Sequence, residues 1–127
     1  MRYLMMLKCN PDYEAGKPPP QELMAGMGTL AQEMAKAGVL LSTDGLMPSR
    51  NGLKLRHAGG RTTVIDGPFA EAKEVIGGYA IVRAATRAEA IALAQRVVDV
   101  HVAAGVTEFE MEIRPIFDAH EGCVPPA

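Results

Sequence analysis

Two segments of the sequence are apolar on both faces of an extended strand, and this feature constrains the fold more than any other. In residues 2–9, Met5 lies on one apolar face, while Leu4 and Met6 lie on an equally apolar opposite face. Residues 79–84 repeat the two-faced pattern. A strand of this kind needs both faces shielded from water, as in the middle of a sheet. The sequence therefore predicts two central strands.

Two amphipathic helices are predicted between the strands. The first starts at Pro20 and stops at Gly38, and its apolar residues follow helical spacing: Leu23, Met27, Leu30 and Met34. This methionine-rich stripe is typical of a core face, with a plastic binding surface as the alternative. The second helix starts at Thr86, which is predicted to form a capping box with Glu89, and it ends at Gly105. Its predicted buried stripe consists of Ile91, Ala94, Val97 and Val98.

The segments between these elements predict loops, a short strand and a hairpin. Residues 10–20 contain four prolines, so we expect a loop without regular structure. Residues 39–42 begin a short strand. Residues 53–57 and 61–65 flank a glycine pair that allows the positive φ angles of a tight hairpin turn. Residues 69–78 connect this hairpin to the third core strand, with room for one helical turn.

The order of the elements predicts a ferredoxin-like fold. Without the inserted hairpin the order is βαββαβ, in which the first and third strands are central and the second and fourth lie at the edges. The fourth strand fits an edge position, because apolar Phe109, Met111 and Ile113 alternate with charged residues. We expect one α+β domain over residues 1–118 and a mobile tail over residues 119–127.

The two predicted helices can cover only one face of the sheet. The opposite face receives apolar residues from both central strands, and an exposed apolar patch of this kind marks an interface or a ligand site. We therefore predict a homodimer whose sheets pack face to face, with a cavity between the sheet and the inserted segment.

The composition argues against several classes of partner and cofactor. The chain has 127 residues and a formal charge of −2, so it lacks the basic surface that nucleic acids require. No segment approaches the ~18 apolar residues of a membrane span, and the opening residues are too short for a signal sequence, so we expect a cytoplasmic protein. The two cysteines do not make a disulfide framework, and the scattered histidines lack metal-binding spacing. We expect no metal and no cofactor.

Five motifs occur along the chain: DGPFAEAKE at residues 66–74, GGY at 77–79, GVLL at 38–41, GLMPS at 45–49 and EIRPIFD at 112–118. Together they resemble the YCII-related family, and specifically its DGPF branch. The resemblance extends over most of the chain. It implies a ferredoxin-like, dimeric α/β barrel, in agreement with the pattern of strands and helices.

The resemblance also carries expectations about function. Relatives in the wider group act on chlorinated hydroxylated aromatics and use a histidine and an aspartate for proton transfer. That histidine lies on the first helix, whereas residues 21–27 of this chain contain none, so the pair does not carry over intact. The resemblance to the DGPF branch also implies a neighbour or fusion partner of an extracytoplasmic-function sigma factor, and hence a regulatory role.

Asp66 and His101 are the candidate catalytic residues. Asp66 ends a strand before a Gly-Pro pair that fixes the backbone, so its carboxylate is either a general base or an acceptor that holds a turn. His101 lies near the end of the second helix, where the helix dipole favours a protonated imidazole. The resemblance to the DGPF branch also implies a histidine at this position. His120, in the tail, has no expected role.

The candidate ligand-binding residues are Arg56, Phe69, Glu71 and Lys73. Arg56 and His57 point to opposite faces of the hairpin, so only one of them can face a cavity. If Leu53 and Leu55 mark the buried side, His57 faces inward with them and Arg56 shares the exposed side with Lys54. If the mouth of the barrel lies on that exposed side, Arg56 faces a ligand. The alternating charges from Glu71 to residue 74 are typical of a solvated loop, with a ligand role as the alternative. Lys73 would hold an anion.

These features support three functional hypotheses. The leading one is a dimeric ligand-binding or regulatory protein whose apolar cavity is closed by residues 66–78. The first alternative is an enzyme, similar to a lyase or dehydrochlorinase, that moves a proton on a small aromatic or carbonyl substrate. Asp66 would then be the base, and Arg56 or Lys73 would stabilise negative charge. The second alternative is an interaction protein for a sigma factor.

Overall fold

A computed structural model describes residues 1–69 and 74–117 of the chain. The tail predicted for residues 119–127, with His120, lies outside the described residues. The elements follow in this order: β1 (Arg2–Lys8), α1 (Pro11–Glu14), α2 (Gln21–Lys36), β2 (Leu40–Gly45), a 3-10 turn (Ser49–Asn51), β3 (Leu53–Ala58), β4 (Arg61–Asp66), β5 (Ile76–Arg83), α3 (Arg87–Ala103) and β6 (Met111–Pro115).

Four strands form an antiparallel sheet in the order β2-β5-β1-β6. The central strands are β1 and β5, as the two-faced apolar pattern predicts. Met5 on β1 lies opposite Ala80 on β5 and opposite Ile113 on β6. This strand order is compatible with a ferredoxin-like fold. The predicted α+β class is confirmed.

The two long helices pack on the same face of this sheet. Met5 and Leu7 from β1 and Val82 from β5 belong to that face, and Met5 and Val82 are completely buried. Burying a side chain of this size stabilises a fold by about 1.5–3 kcal/mol. From α2, Leu30 and Met34 are buried. The methionine-rich stripe therefore contributes to the core.

The start of α3 shows the predicted cap with one difference. Thr86 Oγ1 accepts a hydrogen bond from the Glu89 amide at 3.2 Å, but the Glu89 carboxylate accepts from the amide of Ala85, at 2.7 Å, rather than from that of Thr86. The assignment of Ile91 to the buried stripe is wrong, because Ile91 is 49% exposed. The buried side of the helix consists mainly of small residues. Its buried positions are Ala90, Ala94, Val97 and His101.

Three element boundaries differ from the predictions. Residues 10–20 are not irregular throughout, because Asn10 Oδ1 accepts from the Asp12 amide at 2.8 Å and caps the short helix α1. β2 continues to Gly45, and β5 begins at Ile76 rather than at residue 79. β5 passes through Gly77, where a Cβ atom would lie 3.2 Å from the Cα of Cys9. Because glycine has no side chain, the backbone of Cys9 can approach β5 at this point, and the strand extends back to Ile76.

β3 and β4 form a separate two-stranded sheet, which we call the arm (residues 53–66). The predicted hairpin is confirmed, and Gly59 and Gly60 occupy its turn with φ angles of 60° and 75°. Every residue of both strands is exposed. In the single chain Leu53 and Leu55 are exposed, so they do not mark a buried side that His57 would share.

The face of the four-stranded sheet that points away from the helices has an apolar centre. We call Leu4, Met6, Tyr79 and Ile81 the open face; Leu4 lies opposite Ile81, and Met6 lies opposite Tyr79. Met6 is 8% exposed, whereas the other three side chains are half-buried. Charged residues surround this centre, with Arg2 opposite Arg83 near one end of the strands and Asp44 and Glu112 near the other.

Candidate functional site

An open groove of about 630 Å³ lies where the arm joins the body of the protein. Its walls come from the end of β2 and the 3-10 turn, the first residues of the arm, Phe69, and the segment that leads into β5. The lining residues are Leu46, Met47, Pro48, Ser49, Asn51, Gly52, Lys54, Phe69, Glu74, Val75 and Ile76. Most of these are apolar, so the groove suits a small apolar molecule with few polar groups.

Ser49 joins three segments that are distant in sequence and thereby shapes the groove. Its amide donates to Glu14 Oε1 at 2.7 Å, and its hydroxyl donates to Glu14 Oε2. The same hydroxyl oxygen accepts from the Phe69 amide at 3.0 Å. Ser49 is only 6% exposed, and buried polar groups of this kind are costly to leave unpaired. The Glu14–Ser49 pair therefore clamps Phe69 into the wall of the groove.

The residue at position 67 must be glycine for this clamp to form. A Cβ atom on Gly67 would lie 1.8 Å from the carbonyl oxygen of Ser49 and 2.6 Å from its carbonyl carbon. The Gly67 amide donates to the Gly52 carbonyl at 3.0 Å, and the Gly67–Pro68 peptide bond is cis. The glycine of the DGPF motif thus permits a close backbone approach to the serine of the GLMPS motif.

Lys54 is the cation that faces the groove among the described lining residues. Its Nζ lies 4.1 Å from the centroid of the Phe69 ring, within the range of a cation–π contact. On the other wall, Glu74 Oε2 lies 3.8 Å from Lys8 Nζ, which also lies 4.0 Å from Glu112 Oε1. The groove therefore combines one aromatic face, one cation and one carboxylate in an apolar setting.

Sequence comparisons identify the family of this chain. The family model described as "YCII-related domain" matches residues 1–117. The chain belongs to the YCII-related family. An uncharacterised protein of Rhizobium meliloti (strain 1021) is 30% identical to it over 96 residues, which cover 76% of this chain and 74% of that protein.

In this YCII-related chain, Asp66 and Arg56 lie on the arm and do not line the groove. Asp66 is exposed at the end of β4 and pairs with Leu53, so it points to the face opposite that of Lys54. Arg56 shares the face of Lys54 but lies farther along the arm, and it is exposed. Of the residues predicted to bind a ligand, Phe69 lines the groove, whereas Glu71 and Lys73 lie outside the described residues.

His101 lies in the helix layer, apart from the groove. Its ring stacks on Phe109 with a centroid separation of 3.8 Å and an interplanar angle of 14°, and Nδ1 lies 2.8 Å from the carbonyl oxygen of Val97. Burial lowers the pKa of His101 below its usual value of 6.5, and the hydrogen bond to Val97 opposes that effect only in part. Desolvation thus acts against the protonated imidazole that the end of a helix favours.

Cys9 lies beside the clamp as a buried thiol. Burial, followed by the nearby Glu14 carboxylate, raises the pKa of Cys9 above its usual value of 9.0. A thiol of this kind is a poor nucleophile at neutral pH. Within residues 1–69 and 74–117, no group of three or more His, Cys, Asp or Glu side chains is arranged to hold a metal ion. Over the same residues, no helix combines the length and apolarity needed to cross a bilayer.

Lys54, Ser49 and Glu14 were not predicted to be parts of the site. Glu14 fell in the proline-rich segment that was expected to be irregular, and Ser49 contributed only to a motif. The signal that points to Glu14 is the Asn10-Pro11 pair, because asparagine caps helices and proline is favoured in the first turn. No local signal links Glu14 to Ser49, which follows it by 35 residues.

Proposed function

We propose that this YCII-related protein belongs to the DGPF branch and binds a small ligand in the groove that Lys54 and Phe69 line, as a cytoplasmic homodimer. The observation that carries the proposal is the Lys54 ammonium held above the Phe69 ring in a mainly apolar groove. The clamp of Glu14 and Ser49 supports it, since it fixes Phe69 before a ligand arrives.

The lining favours a small aromatic or carbonyl compound with one anionic oxygen. Apolar walls and the ring of Phe69 provide contacts for a flat apolar body. The Lys54 ammonium provides a donor for one oxygen atom, and charge-assisted hydrogen bonds are the stronger ones. Glu74 on the opposite wall disfavours a second anionic group, so a monoanion fits the charges better than a dianion.

The dimer is supported by the open face. Its apolar centre belongs to the two central strands, and nothing in the helix layer packs on it. Arg2 and Arg83 make one end of the face basic, while at the other end Asp44 and Glu112 lie beside Lys8, whose Nζ is 4.0 Å from Glu112 Oε1. A two-fold axis parallel to the sheets and perpendicular to the strands would lay each basic end on the end that carries these two carboxylates.

An acid–base enzyme is the second candidate, because the groove is lined by two titratable groups, Lys54 and Glu74. In that case Glu74, a carboxylate among the described residues that line the groove, would act as the base. Lys54 would stabilise developing negative charge. Asp66 fits this role less well because it faces away from Lys54. A regulatory role with a sigma factor would use ligand binding as its signal.

Titration of ¹⁵N-labelled protein with benzoate tests the binding proposal. Benzoate should shift the backbone amides of Phe69, Val75 and Ile76, and benzyl alcohol, which lacks the charge, should bind more weakly. Lys54→Met should weaken benzoate binding about tenfold, the value of one charge-assisted hydrogen bond. Lys36→Met is the matched control, since Lys36 is exposed at the end of α2.

Two results would contradict the proposal. One is a benzoate titration that leaves the groove amides unchanged, and the other is an equal affinity of the Lys54→Met variant and the wild type. The enzyme candidate has a separate test: proton–deuterium exchange at the α-carbon of a small ketone, catalysed by the wild type and lost in Glu74→Gln.

A further inference from the structure

One face of the arm carries a row of three cations. Lys54, Arg56 and Arg61 belong to alternate cross-strand pairs of the hairpin, and alternate pairs direct their side chains to the same face. All three residues are exposed. Successive members lie about 7 Å apart along the strands, so the row is about 14 Å long. We call these three residues the basic row.

The arm does not neutralise the basic row. The cross-strand partners of the three cations are the uncharged residues Ile65, Thr63 and Ala58. Asp66 is the one carboxylate of the arm, and it lies on the opposite face. Over the part of the chain that the structure describes, no ion pair involves Arg56 or Arg61. Because like charges in a row repel one another, an anion bound there would relieve that repulsion.

The basic row begins at the groove and leads away from it. Lys54 lines the groove, with its Nζ 4.1 Å from the centroid of the Phe69 ring. Arg56 lies one step farther along the arm and Arg61 two steps farther. A molecule whose head contacts Phe69 can therefore extend along the basic row. Glu74 disfavours a second anionic group inside the groove, whereas the arm offers a place for one outside it.

We propose that the ligand of the groove carries a phosphate group on a flexible linker, and that Arg56 and Arg61 bind this phosphate on the arm. This inference rests on the proposed function, because the groove has to hold the head of the same molecule. The arm then distinguishes a phosphorylated ligand from the free acid that forms its head.

The side chains of the basic row favour a phosphate over other anions. The planar guanidinium of arginine matches the oxygen atoms of a phosphate with two parallel hydrogen bonds. A phosphate monoester carries a charge of about −1.5 to −2 at neutral pH, which suits two neighbouring arginines better than the single charge of a carboxylate. A protein that binds duplex DNA contacts about 6–10 phosphates, far more than Arg56 and Arg61 can reach. The row therefore fits a small phosphorylated molecule.

Three probes with the same head test the phosphate site. Each is benzoate with an ortho butoxy chain that ends in a phosphate, a hydroxyl or a carboxylate group. Isothermal titration calorimetry should show that the wild type binds the phosphate probe about tenfold more tightly than the hydroxyl probe, because two exposed ion contacts contribute about threefold each. The carboxylate probe should gain about threefold at most. Added salt should reduce the gain of the phosphate probe.

Substitutions of the two arginines locate the gain on the arm. Arg56→Gln and Arg61→Gln should each weaken binding of the phosphate probe about threefold and leave the affinity for the hydroxyl probe unchanged. The double variant should bind the two probes equally. Arg87→Gln is the matched control, since Arg87 is exposed at the start of α3. In the wild type, the phosphate probe should shift the side-chain Nε–H signals of Arg56 and Arg61, and the hydroxyl probe should not.

The outcomes separate this inference from the proposed function. Equal affinities of the wild type for the phosphate and hydroxyl probes, with both probes shifting the Phe69 amide, would overturn the phosphate site and leave ligand binding in the groove standing. A gain that persists in the double variant would also overturn the phosphate site. A carboxylate probe that binds as tightly as the phosphate probe would overturn the choice of phosphate. If none of the probes shifts the Phe69 amide, both proposals fail.

Discussion

Replacing Gly67 by alanine should separate the DGPF segment from the 3-10 turn. The added Cβ atom would lie 1.8 Å from the carbonyl oxygen of Ser49, whereas ordinary contact begins near 3.4 Å. The two backbones must therefore move apart by about 1.5 Å. A shift of that size breaks the hydrogen bond from Phe69 to Ser49 Oγ and the one from Gly67 to Gly52, both of which measure 3.0 Å.

The expected cost follows from these two bonds and the overpacking. Each hydrogen bond contributes about 1 kcal/mol net, and overpacking costs about 1–3 kcal/mol. Alanine returns about 0.4–1 kcal/mol by restricting the unfolded chain. We therefore expect Gly67→Ala to lower the free energy of unfolding by about 2–4.5 kcal/mol and Tm by roughly 8–17 °C.

Gly52→Ala is the matched control, because a Cβ atom there would lie 3.4 Å from the same Ser49 carbonyl oxygen. Its free energy of unfolding should stay within about 0.5 kcal/mol of the wild type. Urea denaturation followed by circular dichroism measures the stability of both variants, and hydrogen exchange at Phe69 reports the clamp. Equal stability of the two variants, with the Phe69 amide still protected in Gly67→Ala, would refute the clamp.

Two further predictions concern buried groups. The pKa of His101 in the folded state lies below 6.5, so as the pH drops the unfolded chain binds a proton before the folded chain does. The free energy of unfolding should therefore fall as the pH drops through 6.5 toward the folded-state pKa. His101→Phe should flatten this dependence in urea melts from pH 7.5 to 5, whereas an unchanged slope would argue against titration of His101. Cys9 is a buried thiol with a raised pKa, so iodoacetamide at pH 7.5 should modify it about 100-fold more slowly than free cysteine in a Cys123→Ser background. Modification at the rate of free cysteine would contradict the burial of Cys9.

The parts of the fold that follow from short-range pattern were predictable. The two-faced apolar pattern around Met5 and Val82 placed the central strands correctly, because only an interior strand shields both faces. The cap at Thr86 and the turn at Gly59 depend on neighbouring residues alone. The predicted element boundaries are wrong where tertiary contacts determine them. One example is Ile76, where β5 starts beside Cys9.

The candidate site was only partly predictable, since its residues meet through long-range contacts. Phe69 was expected near a ligand because of its motif, and it does line the groove. Lys54 was expected on the exposed side of the hairpin, and its approach to Phe69 depends on how the arm joins the body. The pairing of Glu14 with Ser49 requires α1 and the 3-10 turn to meet, which no local pattern indicates. The lowered pKa of His101 depends on its burial in the helix layer, which the position of the residue near a helix end does not indicate.

The covering of the open face by a second copy is the claim on which the proposed dimer depends. Sedimentation equilibrium of the wild-type protein at about 10 µM measures it most directly. The account predicts a mass of twice the 13.5 kDa of one chain, with dissociation when Ile81 is replaced by lysine. A wild-type mass of one chain at that concentration would contradict it.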